Sequence, residues 1–146
     1  MKDCVLITAI GSFSADIVIK NIKKMQMHVV GCDIYPKEWV VDSRNVDKFY
    51  RAPLALDEEK YIEFIIDVVK KEKIRFIIPL TDVEVDVLNK NRTQIENEGA
   101  IICFSDANVI DVCRNKMKLF TILCDKKGVD TIPTYWLDSI NIEELN

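Results

Sequence analysis

The chain predicts an α/β fold: a Rossmann-like parallel sheet of strand order 3-2-1-4-5 with helices on both faces. Three observations carry that expectation. Short, nearly continuous apolar runs alternate with amphipathic helical periods, as they do when a parallel sheet is covered on both sides by right-handed crossovers. The first run stops at Gly11 and the fourth at Pro79. Two of the runs, the first and the fourth, pass almost at once into the start of a helix.

The first run is Cys4, Val5, Leu6, Ile7, Thr8, Ala9, Ile10, with the strand itself expected over 5–9. It ends at Gly11, and Ser12, Phe13 and Ser14 lead into a helix over 15–24. Val18, Ile22 and Met25 recur there at i, i+4 and i+7, while Lys20, Lys23 and Lys24 fall on the other face. A second strand is expected over 28–33, then an irregular stretch with Tyr35, Pro36 and Trp39, then a short strand over 48–50. Asp57 is placed to cap a long helix to about residue 71, with Ile62, Ile65, Ile66 and Val69 forming one apolar stripe.

The fourth strand, over 75–78, stops at Pro79. Thr81 followed by Glu84 has the form of a capping box, in which the two side chains satisfy free backbone donors of the first helical turn. The helix is expected over 82–96, Gly99 suits the next turn, and a fifth strand is expected over 100–104. Ser105 can cap a helical region from 106 to about 127 that ends at Gly128. Residues 131–137 read as a linker entering a new strand, and Asn141 with Glu144 as another capping box. A single closing turn pays for nucleation without propagation, so the chain is expected to be the front portion of something longer.

At 146 residues the chain can bury a core without disulfide or metal support, and its 49% hydrophobic and 30% charged residues are those of a soluble globular protein. A net charge of -4 offers no electrostatic footprint for nucleic acid. There is neither a membrane-spanning apolar run nor a signal-peptide pattern, so a cytoplasmic location is expected. Cys4, Cys32, Cys103, Cys113 and Cys124 form no CxxC pair, and three of them fall in expected strands, where free cysteine behaves as a small buried hydrophobe. They read as inert thiols in a reducing compartment. His28 is the single histidine, which leaves little from which to build a zinc site or a Cys/His couple.

The strand order sets the ends of the first and fourth strands side by side, with their loops leaving in opposite directions. Such a switch point is where open α/β sheets hold ligands. Gly11, Ser12, Asp33, Thr81, Asp82 and Glu84 are the polar candidates there, suited to orienting an amine or hydroxyl. Each also has an ordinary structural role: Gly11 as a turn residue with positive φ, Ser12 and Ser14 as caps, Asp33 as loop chemistry before a proline turn, Asp82 and Glu84 as acids at a helix N-terminus. Gly11 and Asp33 also invite a dinucleotide reading, but the loop has one glycine where that fingerprint has three, and Phe13 obstructs a pyrophosphate. No nucleophile or paired base stands out, so no catalytic residue and no metal ligand is assigned. Arg114, Lys116 and Lys118 read from pattern alone as an exposed basic face.

The order Ala9, Ile10, Gly11, Ser12, then Pro79, Leu80, Thr81, Asp82, Val83, Glu84, then Asn115, Lys116 through Leu123 and Gly128 to Pro133, Thr134 resembles the N-terminal pre-ATP-grasp domain of ATP-grasp enzymes. Among these it is most similar to carbamoyl-phosphate synthase large-subunit-like proteins. The resemblance implies a pre-ATP-grasp domain over 1–115, and a helix and linker over 116–146 leading into an ATP-grasp module of the same protein. It implies that a carboxylate or bicarbonate is activated with ATP and magnesium as an acyl phosphate and passed to an amine or ammonia. The first domain then forms one wall of the substrate cleft and is inactive alone. It further implies that Lys116 approaches the ATP phosphates, although the family more often has Asp where this chain has Asn115. The implied partners are a small-molecule substrate and the downstream module; a homodimer is one option for assembly. Two alternatives stay open: an NAD(P)-binding domain of an oxidoreductase that uses Asp33 for a ribose, and a stand-alone binding module.

Overall fold

The structure is a computed structural model that describes residues 2–136. Two compact units divide the chain, one ending at Phe104 and one beginning at Ser105. The boundary expected after residue 115 falls inside the second unit.

The first unit holds five parallel strands, β1 (Cys4–Ile7), β2 (His28–Asp33), β3 (Lys48–Arg51), β4 (Phe76–Ile78) and β5 (Ile101–Ile102), in the order β3-β2-β1-β4-β5. The helices between them are α1 (Ala15–Lys24), α2 (Glu58–Glu72), α3 (Asp82–Lys90) and α4 (Arg92–Glu96), and 3-10 turns occupy Lys37–Trp39 and Val41–Arg44. Sheet topology and α/β class are therefore as the sequence predicts.

Strand periodicity splits the core into two layers. Val5, Ile7 and Val29 pack with Ala15 and Ile19 of α1 on one face. Cys4, Leu6, Val30, Cys32 and Ile77 pack with Tyr61, Ile65, Val68, Leu88 and Ile95 of α2, α3 and α4 on the other. Because β1 is central and covered on both sides, all four of its residues are buried. The α1 stripe differs from expectation: Ala15 and Ile19 are its buried centre, Val18 and Ile22 flank it, and Met25 is 64% exposed, since it lies past the last helical residue.

The helix expected over 82–96 is two helices. Asn91 leaves helical geometry between them and donates through Nδ2 to Glu58 Oε1 (2.9 Å) and to the Val87 carbonyl (3.0 Å). Asp57 precedes α2 without a side-chain capping bond and pairs instead with Lys60. Gly99, at φ 91°, makes the expected turn into β5. Cys103 lies just past that edge strand and is exposed, whereas Cys4 and Cys32 are buried; the expectation of burial fails where the sheet ends.

In the second unit the expected helical region consists of two helices, α5 (Ala107–Arg114) and α6 (Lys116–Cys124). The break lies at Asn115, whose backbone is extended and whose Oδ1 accepts from the Lys118 amide at 3.0 Å. A side chain that caps ends one helix by starting the next. Asn115 thus caps α6, and Lys116 is the first residue of that helix. The expected linker carries no strand over 131–136, and its last residue and the Asn141–Glu144 capping box lie outside the described residues. Among the described residues no helix is long and apolar enough to cross a membrane.

Candidate functional site

The chain opens a crevice where β1 and β4 end. Thr8 N donates to the Ile78 carbonyl (3.1 Å) as the last rung between the two strands, after which their loops diverge. Ala9 then turns into the left-handed region at φ 49°. Gly11, expected to take the positive φ, does not have it; the turn is made at Ala9. Close approach is what favours glycine there, since a Cβ would lie 2.9 Å from Asp33 Oδ2 and the clamped carboxylate would have to shift.

Asp33 holds this loop. Its Oδ2 accepts from the Gly11 amide at 2.7 Å and its Oδ1 from the Tyr35 amide at 3.0 Å, so both carboxylate oxygens are engaged by backbone and the residue is buried. The second bond is an Asx turn that launches the β2–β3 connection. Loop chemistry thus accounts for Asp33, and the carboxylate is committed to amides in a way the dinucleotide alternative does not foresee. Ser14 precedes α1 without a side-chain cap; its Oγ lies 3.3 Å from Ser12 Oγ.

Opposite this loop, Glu84 departs from the expected capping box. Thr81 makes no side-chain cap to the backbone; its hydroxyl donates to Glu84 Oε2 at 2.8 Å. The same oxygen accepts from Thr8 Oγ1 (2.8 Å), and Oε1 accepts from the Tyr61 hydroxyl (2.9 Å). Glu84 is therefore a buried node tying β1, α2 and α3 together. Burial, and then the adjacent Glu84 carboxylate, push the Tyr61 phenol well above its usual range. The same two causes, in the same order, raise the buried Cys32 thiol and keep it inert. Neither Thr8 nor Tyr61 is marked as a site residue by local pattern; the one signal the sequence offers is a threonine set in an otherwise apolar strand.

The crevice has a volume of about 400 Å³, and Gly11, Ser12, Asp33, Thr81 and Glu84 all line it. Five of the six expected residues are thus brought together. Asp82, exposed at the start of α3, is not among the lining residues. Much of the remaining wall is apolar, from Leu54, Leu56 and Val83, which the sequence reading did not single out. An apolar wall with a few convergent polar groups is the usual make-up of a small-molecule site. No lysine, arginine or histidine lines it. Lys116 belongs to the second unit, where its Nζ lies exposed, 3.4 Å from the Cys113 carbonyl. Among the described residues no cluster of three or more His, Cys, Asp or Glu is placed to hold a metal ion.

A family model described as PylC-like, N-terminal domain matches residues 5–103. No curated protein matches the chain in sequence. Among solved structures, an L-amino acid ligase from Bacillus licheniformis is similar at 14% identity and a TM-score of 0.63 over 85% of this chain and 30% of that one. The biotin carboxylase domain of a thermophilic 2-oxoglutarate carboxylase is similar at 19% identity and a TM-score of 0.64, over 91% of this chain and 29% of that one. The urea amidolyase of K. lactis shares 21% identity at a TM-score of 0.58, over 83% of this chain and 7% of that one. At such identities the likeness is one of fold, and the chain spans under a third of each of these proteins.

Proposed function

The chain belongs to the PylC-like N-terminal domain family and has the fold of the N-terminal domain of an ATP-grasp enzyme; from that premise we propose that it forms the substrate-side wall of an ATP-dependent ligase working through an acyl phosphate. The observation that carries this reading is the crevice at the switch point of the sheet, where Gly11, Ser12, Asp33, Thr81 and Glu84 converge. Gly11 and Asp33 set the backbone on one side, Thr81 and Glu84 set it on the other, and Ser12 offers a hydroxyl between them. Leu54, Leu56 and Val83 exclude water from the apolar part of a bound molecule.

Magnesium and nucleotide phosphates do not fit this crevice. Both carboxylates that line it are already committed, Asp33 to amides and Glu84 to hydroxyls, and the described residues offer no cluster of three or more metal ligands; two carboxylates without a lining cation also repel phosphates. Phosphoryl transfer depends on positive charge placed around the phosphates, so that chemistry is assigned to further polypeptide of the same protein and no catalytic residue to this chain. Lys116, an exposed cation at the first position of α6, is the residue assigned to meet the nucleotide. The cytoplasm is the compartment proposed for such an enzyme.

Two measurements on the full-length protein test the reading. Val83→Trp, which fills the crevice, is expected to raise KM for the small-molecule substrate several-fold and leave KM for ATP in place; an unchanged substrate KM overturns the crevice assignment. Calorimetry with ATP and magnesium is expected to show about tenfold weaker nucleotide binding in Lys116→Ala, equivalent to about 1.4 kcal/mol. Equal affinities remove Lys116 from the site.

A further inference from the structure

Beside the crevice lies a second cleft, of about 630 Å³, at the C-terminal ends of β2 and β3. Its walls include Tyr35, Trp39, Arg51 and Leu54. Trp39 is 74% exposed and Tyr35 52% exposed, and their rings stand 6.2 Å apart with a 32° tilt. Large aromatic rings held in solvent forfeit the burial free energy that normally keeps them inside.

These rings are presented by a built turn. The Tyr35 amide is held by Asp33, the Trp39 amide donates to the Pro36 carbonyl at 2.9 Å, and buried Ser43 donates to the Lys37 carbonyl at 2.9 Å. Val40, next to Trp39, is buried in the core, so the chain is anchored immediately beyond the exposed indole.

Arg51 supplies the charge. Its Nε donates to the Ile34 carbonyl at 3.2 Å, which fixes the guanidinium while neither terminal nitrogen has a partner among the described residues. Asp33 is its register partner across β2 and β3, yet the two form no ion pair there, because both Asp33 oxygens are taken by amides. An anchored guanidinium with its outer fork open matches a planar anion.

We propose that this cleft binds a flat, aromatic group carrying a single carboxylate, with the ring against Tyr35 and Trp39 and the carboxylate on the Arg51 fork. A carboxylate is preferred over a phosphate because one cation lines the cleft while Asp33 and Glu84 lie in the crevice that shares its Tyr35 wall. The doubly charged group would meet more repulsion for the same single fork. The inference stands on this cleft alone and does not rest on the ligase reading.

Ligand-observed NMR titration of the chain with phenylacetate tests it. Saturable binding is expected, at least tenfold weaker for acetate, which lacks the ring, and for benzylamine, which reverses the charge. Arg51→Ala and Trp39→Ala should each weaken phenylacetate at least fivefold, and Arg75→Ala, at a surface pair with Asp3 elsewhere, should not. Absence of saturable binding, equal binding of benzylamine, tighter binding of benzyl phosphate, or indifference to Arg51→Ala would each overturn it. The ligand series on the unaltered chain discriminates even if a variant fails to fold.

Discussion

Thr8 Oγ1 donates to Glu84 Oε2 at 2.8 Å, joining the end of β1 to the first turn of α3 across 76 residues of sequence. With Thr81 on the same oxygen and Tyr61 on the other, one buried carboxylate satisfies three hydroxyls and fixes the two rims of the crevice to each other. The acceptor-only chemistry of a carboxylate suits three donors.

Replacing Glu84 by glutamine therefore puts an amide donor where a hydroxyl already donates. At least one buried hydroxyl must turn or lose its partner, at a cost of about 1–3 kcal/mol. Tyr61→Phe takes away the donor on Glu84 Oε1 and leaves that buried charged oxygen without it, so about 1.5–3 kcal/mol is expected. Urea unfolding of both single variants and the double variant measures this. A double-mutant cycle with no coupling would mean that the Tyr61–Glu84 bond contributes nothing.

Asp33→Asn keeps shape and loses one acceptor. Both existing donors, the amides of Gly11 and Tyr35, are backbone groups that cannot turn away without moving the loops. About 1–3 kcal/mol of destabilisation is expected, and faster hydrogen exchange at the Gly11 and Tyr35 amides is the readout that separates loop release from general weakening. Gly11→Ala should produce the same local signature by pushing a methyl to within 2.9 Å of Asp33 Oδ2. Exchange unchanged at both amides in both variants would contradict the clamp.

Much of this was legible in the sequence, and where it was not the reasons are physical. The parallel α/β class follows from apolar runs such as residues 4–7 and from their alternation with amphipathic helices, both of which are local signals, and the strand order is the doubly wound one expected of that class. The convergence of Gly11, Asp33, Thr81 and Glu84 follows from that order. The role of Glu84 does not, because a capping box and a buried hydroxyl node begin with the same Thr-x-x-Glu, and only the arrival of Thr8 and Tyr61 decides between them. Local propensity also misses the break at Asn115, where one side chain outweighs an otherwise continuous helical pattern. Gly11 shows a third limit: sequence signals a special glycine but does not distinguish a positive φ from a neighbour that leaves no room for a Cβ.

Glu72 gives the first unit a definite acid sensitivity. At the end of α2 its carboxylate accepts from Lys48 Nζ at 2.6 Å and from the Tyr50 hydroxyl, so it ties the helix to edge strand β3. Those two bonds, the one from Lys48 foremost, hold the Glu72 carboxyl below its usual range, and the same Glu72 bond raises the Lys48 amine. A carboxyl depressed in the folded state binds protons more readily when unfolded, so its contribution is complete above the unfolded value of about 4.3 and disappears as pH falls through the lower folded value. The raised lysine works in the opposite direction: its contribution is complete below the unfolded value of about 10.4 and is lost only as pH rises through the higher folded one. Stability from this pair is therefore flat through neutral pH. Glu72→Gln should lower the urea midpoint by a constant amount from about pH 6 to 9, with wild type and variant converging in acid below about pH 4. Midpoints measured across that range, with Tyr50→Phe as the partial loss, check it. A gap that stays constant into acid would show that carboxylate charge at Glu72 does not hold β3 to α2.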